Sequence, residues 1–258
     1  MGDNLIVDAH VHVTPDGRWF QTRHDASLSN LITEMNRSDI ERAVVLPISP
    51  MISNEFISQI CTKHPDRLFG FASINPSIPR ASDKLENDVK KYNLIGLKLH
   101  QNIQKFDFNN ESFRSVIQAA SNLEIPLIID TWYTSNDENL LFFKTIDDIV
   151  ESIPELVVIL PHLGGKAPGE VSRFQDYDNV YFDISFVFSR FGREFSERTI
   201  ENRILEIGAR KLIYGSDYPE ISPSNYLKYS INILERLQFS SLEKDLVFSK
   251  NILKIFNI

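Results

Sequence analysis

The chain has 258 residues, with 27 Lys and Arg against 35 Asp and Glu, a formal charge of −8. At 42% hydrophobic, 24% charged and 11% aromatic residues, it can bury a sizeable core and lacks the composition of a disordered chain. The acidic balance, with no clustered run of Lys and Arg, argues against a phosphate-backbone partner, so neither DNA nor RNA is expected.

The N-terminal MGDNLIVDAH has no basic segment followed by an apolar stretch, and Ile6 stands where a myristoylation motif requires Ser or Thr. No apolar run approaches the roughly 18 residues that span a bilayer. A single cysteine, Cys61, excludes an internal disulfide. The expectation is a cytoplasmic protein that does not engage a membrane.

Eight short apolar runs follow in chain order: 5–13, 42–48, 68–74, 95–100, 125–131, 156–162, 180–185 and 212–217. They are β-branched or aromatic and mostly apolar on both faces, as parallel strands covered by helices require. Between them lie helical spacings, such as Leu28, Leu31, Ile32 and Met35, or Ile200, Ile204 and Ile207 before Gly208. Eight βα units in about 250 residues predict an α/β fold, a single (β/α)8 TIM barrel spanning residues 1–258. No linker divides it, and no Gly-x-Gly-x-x-Gly follows the first strand, which removes the dinucleotide signature of an open sheet.

Strand alternation in IVDAHVHV puts Asp8, His10 and His12 on one face and Val7, Ala9, Val11 and Val13 on the other. Buried imidazoles without partners are costly, and a metal removes that cost. A His pair hydrogen-bonded at a loop end is the plain alternative. Ionisable residues recur at later strand ends, where barrel enzymes place catalytic groups: Lys98 and His100 share a face with Gly96, and Asp130, His162 and Asp217 each close a strand. Asp217 before Tyr218-Pro219 also suits a turn, and Asp130 a cap. Their recurrence at five strand ends is better explained by one common site.

DAHVH, GLKLHQNIQ, PHLGG, YGSDYP and KNILKIF, in this order from residue 5 to 256, resemble the amidohydrolase superfamily. Within it they are similar to the amidohydrolase-2 group, which includes aminocarboxymuconate-semialdehyde decarboxylase and related hydrolases. The resemblance implies a barrel with one divalent metal, usually zinc. It makes His10, His12 and Asp217 ligands, and His162 an acid or base in or beside the ligand set. Lys98 and His100 would lie near the site and meet a substrate carboxylate. The chain departs from the family's pattern at the fifth strand, where Asp130 stands in place of a ligating histidine. As a ligand it makes the site harder, opening it to Mn2+, Mg2+ or Fe2+ beside Zn2+.

The resemblance supports a metal-dependent hydrolase acting on a small carboxylate- or carbonyl-bearing substrate, in which metal-bound water attacks and Asp217 carries its proton. Non-oxidative decarboxylation of an aromatic or unsaturated acid is the alternative on the same residues. A non-catalytic or metal-free small-molecule-binding barrel is the reading from another class, and a barrel deoxyribonuclease is disfavoured by the charge. Specificity is expected from the loops 14–27, 101–110, 132–140, 163–169 and 186–195. There Trp19, Phe20, Trp132, Tyr133, Phe186 and Phe188 are candidates for an apolar wall, and Arg23, Lys166 and Arg190 for a carboxylate. Gly164 and Gly165 either let the backbone approach a ligand or make a turn. Tyr226, Tyr229, Ile233 and Leu237 on one predicted helix either cover the barrel or form a homo-oligomer contact.

Overall fold

The computed structural model describes residues 5–131, 136–165, 171–188 and 196–256, with the side chains of 136–139 left aside. Trp132, Tyr133, Lys166 and Arg190 lie outside the described residues. The strands are β1 Val7–Val11, β2 Arg42–Val45, β3 Leu68–Gly70, β4 Ala72–Ser73, β5 Leu97–Leu99, β6 Leu127–Ile129, β7 Val158–Leu160, β8 Val180–Asp183 and β9 Leu212–Ile213. Every ladder between them is parallel. At the junction of β3 and β4, Phe71 N donates to Val45 O and Ala72 N to Gly96 O. Alternate donors serving opposite neighbours are the mark of one continuous strand, so the two segments form a single barrel strand.

The ring closes between β9 and β1. Ala9 N donates to Tyr214 O at 3.0 Å, Asp217 N to His10 O at 2.8 Å and His12 N to Tyr218 O at 2.7 Å. The result is the expected (β/α)8 barrel, with the eight apolar runs as its eight strands. Each observed strand is shorter than its run, and the polar residues at the C-terminal ends lie in or just beyond the last strand residues.

Helices cover the outside: α1 Leu28–Arg37, α2 Asn54–Lys63, α3 Ala81–Tyr92, α4 Gln101–Gln104, α5 Glu111–Asn122, α6 Asn136–Ser152, α7 Glu197–Ile207 and α8 Pro223–Arg236. Their starts follow local chemistry. Ser27, Ser53, Asn110 and Ser196 each accept a backbone N–H of the first turn. Leu31 and Met35 of α1, and Ile200, Ile204 and Ile207 of α7, are buried, as their spacing predicts. On α8, Tyr226 and Ile233 are buried and Leu237 just beyond it packs on the core, so this face covers the barrel; Tyr229 remains 43% exposed.

The core has two layers. Val44, Phe71, Ile128, Ile159, Tyr181 and Ile213, one residue from each of six barrel strands, fill the inside of the barrel. Ile252 and Phe256 of the last helix, α9 Asn251–Phe256, pack against this layer. The alternate residues, among them Val45, Leu97, Leu127, Val158, Phe182 and Leu212, pack outward with the helices. A Cβ on Gly96 would stand 2.2 Å from the Phe71 ring, so only glycine leaves room for that side chain.

One expectation about β1 needs correction. Val7 and Ala9 join the inner layer, whereas Val11 and Val13 join the outer one. A register shift falls between Asp8 and Val11, and a bulge of this kind flips the side to which later residues point. His10 and His12 therefore face the cavity at the C-terminal end, and Asp8 does not share their face. No helix among the described residues is long and apolar enough to cross a membrane.

Candidate active site

The C-terminal end of the barrel opens into a cavity of about 340 Å³. Among its lining residues are His10, His12, Lys98, His100, Asp130, His162 and Asp217, together with Trp19, Phe20 and Phe186. Thus the ionisable residues picked out at five strand ends do meet in one space. Phe188 does not line it, packing instead on Tyr226 and Tyr229, and Arg23 is exposed outside it.

Three of these residues form a tight triangle. His10 Nε2 lies 3.2 Å from His12 Nε2, and Asp217 Oδ1 lies 3.5 Å from the first and 3.4 Å from the second. The other ring nitrogens fix the tautomers. His12 Nδ1 lies 2.7 Å from the Leu46 carbonyl oxygen, which can only accept, so Nδ1 carries the proton. His10 Nδ1 lies 2.8 Å from Asp183 Oδ2. Burial opposes the charge of Asp183, but the attraction of His10 and the hydrogen bonds from His10 and Ser185 outweigh it and hold its carboxyl well below the ordinary range. In the neutral imidazoles both Nε2 lone pairs then face each other and a carboxylate oxygen. Only an added proton or a cation relieves that arrangement, and burial, the dominant cause, pushes His10 down to about 4. The donor set fits a divalent metal, with Asp183 and Leu46 orienting its imidazoles from behind.

His10, His12 and Asp217 are the group of described residues whose ligand atoms lie close enough to share an ion. Asp130 and His162, the other two ligands expected from sequence, are not in that group. Asp130 Oδ1 lies 3.9 Å from His162 Nε2, and Asp130 Oδ2 lies 3.7 Å from His100 Nδ1. At the end of β6 the Asp130 carboxylate faces these two rings. Asp130→Ala is expected to keep bound metal at wild-type occupancy while turnover falls about 100-fold, the usual scale for losing a proton-handling group. Metal analysis and kcat on the same preparation check both halves.

His162 stacks on His10 with ring centroids 5.3 Å apart. Its Nδ1 lies 3.0 Å from the Ser185 carbonyl oxygen, so Nδ1 donates and Nε2 is left toward Asp130. Lys98 is fully buried on β5, and burial lowers its pKa although Asp130, Asp183 and Asp217 pull it back up. His100 is likewise lowered, chiefly by burial.

The backbone is held in unusual conformations around these groups. His162, Phe186 and Asp217 have φ of 57°, 62° and 63°, the left-handed region that non-glycine residues avoid. Gly164 and Gly165 continue the turn after His162 at φ 77° and 78°. A Cβ on Gly165 would stand 2.2 Å from the Thr131 carbonyl oxygen, so this glycine serves a close approach of backbone to backbone. A Cβ on Gly215 would press on His10 Cβ at 2.8 Å.

Sequence reasoning missed Asp183, Ser185 and Glu220. Asp183 accepts from His10 Nδ1, His162 N at 3.0 Å and Ser185 N at 2.9 Å, which ties three strand ends together. The signal was present, because VYFDIS places Asp183 and Ser185 on one face at the end of the seventh barrel strand.

Asp8 sits behind the triangle. Its Oδ1 accepts from Ser216 N at 2.8 Å and His10 N at 3.2 Å, and its Oδ2 has no hydrogen-bond partner. Burial pushes its pKa up to about 7 against the hydrogen bonds from Ser216 and His10. A folded-state pKa above the unfolded value favours folding at low pH, and the stability is lost as pH rises through the folded value. Asp8→Asn keeps the Oδ1 acceptor without the charge. It is expected to be more stable than wild type at pH 8, by up to about 4 kcal/mol, with the difference shrinking toward pH 4. Denaturant melts at several pH values measure it.

A (β/α)8 barrel with paired strand-one histidines and a strand-eight aspartate at its C-terminal mouth defines a class of metal-site barrels, and the comparisons agree. The amidohydrolase family model matches residues 7–258, and the chain belongs to that family as an enzyme of the amidohydrolase-2 group. Over 212 residues it is 21% identical to a gamma-resorcylate decarboxylase of Rhizobium sp., an alignment covering 65% of this chain. The match spans 64% of that relative's length. The solved 2,6-dihydroxybenzoate decarboxylase from Rhizobium superposes with a TM-score of 0.75 at 15% identity, covering 98% of this chain and 99% of the other. A probable 2-pyrone-4,6-dicarboxylic acid hydrolase from Acinetobacter baumannii, with citric acid bound, gives 0.72 at 17% identity over 98% and 99%. At these identities the structural likenesses establish the shared barrel.

Proposed function

We propose that the protein is a metal-dependent, non-oxidative decarboxylase of a small aromatic carboxylic acid. The observation that carries this reading is the cavity itself, where aromatic side chains Trp19, Phe20 and Phe186 adjoin a buried Lys98 and the triangle of His10, His12 and Asp217. The likeness to decarboxylases of hydroxylated benzoates supports it over hydrolysis.

A divalent ion held by His10, His12 and Asp217 supplies positive charge to the acid's oxygens. The remaining work falls to the chain. Lys98, an amine buried inside the barrel, meets the substrate anion, and a fixed ammonium in a dry site attracts it more strongly than in water. The aromatic side chains present apolar surface to the ring. As the C–C bond breaks, its electron pair stays on the ring carbon and takes a proton while carbon dioxide leaves, so the acid anion plus one proton becomes the arene plus carbon dioxide. His162 Nε2, directed toward Asp130, is placed to hold that proton, and Ser185 fixes the ring from the other side.

The test is incubation of metal-loaded protein with 2,6-dihydroxybenzoate and its mono-hydroxy and carboxylated relatives in D2O. The expected result is release of carbon dioxide with one deuterium at the vacated carbon. Intact acids beside ready hydrolysis of a cyclic ester such as 2-pyrone-4,6-dicarboxylate would instead favour hydrolysis. That second reading is supported by the hydrolase likeness at a similar TM-score.

A further inference from the structure

We propose that Arg203 is a positioning residue for His162: its buried guanidinium holds the left-handed turn that presents the His162 ring to the cavity. The inference rests on the proposed function for what His162 does there, and on the geometry alone for how it is held.

The chain leaves β7 through Pro161 and enters four successive residues with positive φ: His162 at 57°, Leu163 at 52°, Gly164 at 77° and Gly165 at 78°. His162 and Leu163 carry side chains, and such a run persists only where its surroundings over-determine it. Inside the turn, Gly164 N donates to Pro161 O at 3.1 Å and Gly165 N to His162 O at 3.0 Å. Ties from outside add to these. On the barrel side, His162 N donates to Asp183 Oδ1 at 3.0 Å and Thr131 Oγ1 to Pro161 O at 2.7 Å. On the helix side the tie is Arg203, whose Nη1 donates to Gly165 O at 2.7 Å and to Leu163 O at 3.3 Å.

Arg203 comes from α7, 38 residues beyond Gly165. An arginine on the outer helix layer ordinarily reaches water, yet this one is only 5% exposed. Burial pulls its pKa down to about 10, with Glu206 opposing, so it keeps its charge at neutral pH. Hydrogen bonds from an ionised donor are stronger than those from a neutral one, and these grip the two carbonyls that follow His162 at alternate positions. The turn in turn sets the ring. The φ of His162 fixes the direction of its Cα–Cβ bond, and from there Nδ1 reaches the Ser185 carbonyl oxygen at 3.0 Å while the ring stacks on His10. Relaxation of the turn to ordinary φ would swing the ring off both.

Long-range proton–nitrogen correlation spectra of zinc-loaded protein with isotope-labelled histidines test this, the His162 signal being assigned by its loss in His162→Asn. Wild type is expected to show His162 as a single tautomer with the proton on Nδ1. In Arg203→Met, which keeps an apolar stem without the donors, that signal should lose its fixed tautomer while the zinc-bound rings of His10 and His12 keep theirs. Metal per chain should stay at the wild-type value, and kcat with 2,6-dihydroxybenzoate should fall about 100-fold, the scale for a misplaced reacting group, with KM little changed. In Arg203→Ala, guanidinium at millimolar concentration, far below its denaturing range, should restore part of both the signal and the turnover. A purely structural role would not give that rescue. An unchanged His162 signal in both variants overturns the inference, as does loss of the His10 and His12 signals along with it, which would make Arg203 a support of the fold alone. If wild type releases no carbon dioxide, the decarboxylase reading fails and the His162 spectra decide this inference by themselves.

Discussion

Asp217→Ala is expected to abolish metal binding and turnover together, with kcat/KM falling at least about 1,000-fold. Losing a residue that only orients a ligand typically costs 10–100-fold in metal affinity, and Asp217 is itself one corner of the triangle, 3.5 and 3.4 Å from the two imidazole nitrogens. Removing it also deletes the negative charge that a cation between two buried imidazoles requires. The left-handed backbone at Asp217 is tolerated better by Asp or Asn than by most residues, so Asp217→Asn is the companion variant that spares the turn. Metal per chain by elemental analysis and single-turnover kinetics, on the same samples, read the two effects. His10→Ala should behave alike.

The second large effect is expected at Asp183, which is not a corner of the triangle but holds one of its imidazoles. Asp183→Asn should lower metal affinity by about 10–100-fold. The carboxylate accepts the Nδ1 proton of His10 at 2.8 Å. An amide that turns its NH2 toward that nitrogen drives the proton onto Nε2, the atom facing the triangle, and a ring in that tautomer is not a ligand. The same carboxylate receives the backbone N–H groups of His162 and Ser185, so His162 is expected to shift as well. Asp183→Ala, which cannot donate, should lose less specificity for the tautomer and more stability. Metal titration followed by thermal melts separates the two.

How much of this was legible in the sequence follows from the physics of strands. Parallel strands buried on both faces give unbroken apolar runs, so eight of them and the barrel could be read directly. The alternation rule places Lys98 correctly on the inner face, since its neighbours Leu97 and Leu99 do pack outward. It fails for Asp8 because a bulge changes the facing within β1, and no residue in DAHVH announces one. Asp130 was legible as a strand-end carboxylate but not in its partners, which depend on side-chain reach across the cavity. Trp19 was legible as an aromatic in a long loop. Its indole donates to Glu220, 201 residues away, and contacts of that separation leave no local pattern.

The central claim is that His10, His12 and Asp217 hold one metal ion while Asp130 stands apart. An anomalous difference map from zinc-loaded crystals, collected on both sides of the zinc edge, tests it most directly. The account predicts a single peak within bonding distance of Nε2 of His10, Nε2 of His12 and a carboxylate oxygen of Asp217, beyond bonding distance of Asp130. A peak bonded to Asp130, or the absence of any peak in crystals of protein that keeps full turnover after exhaustive chelation, would contradict it.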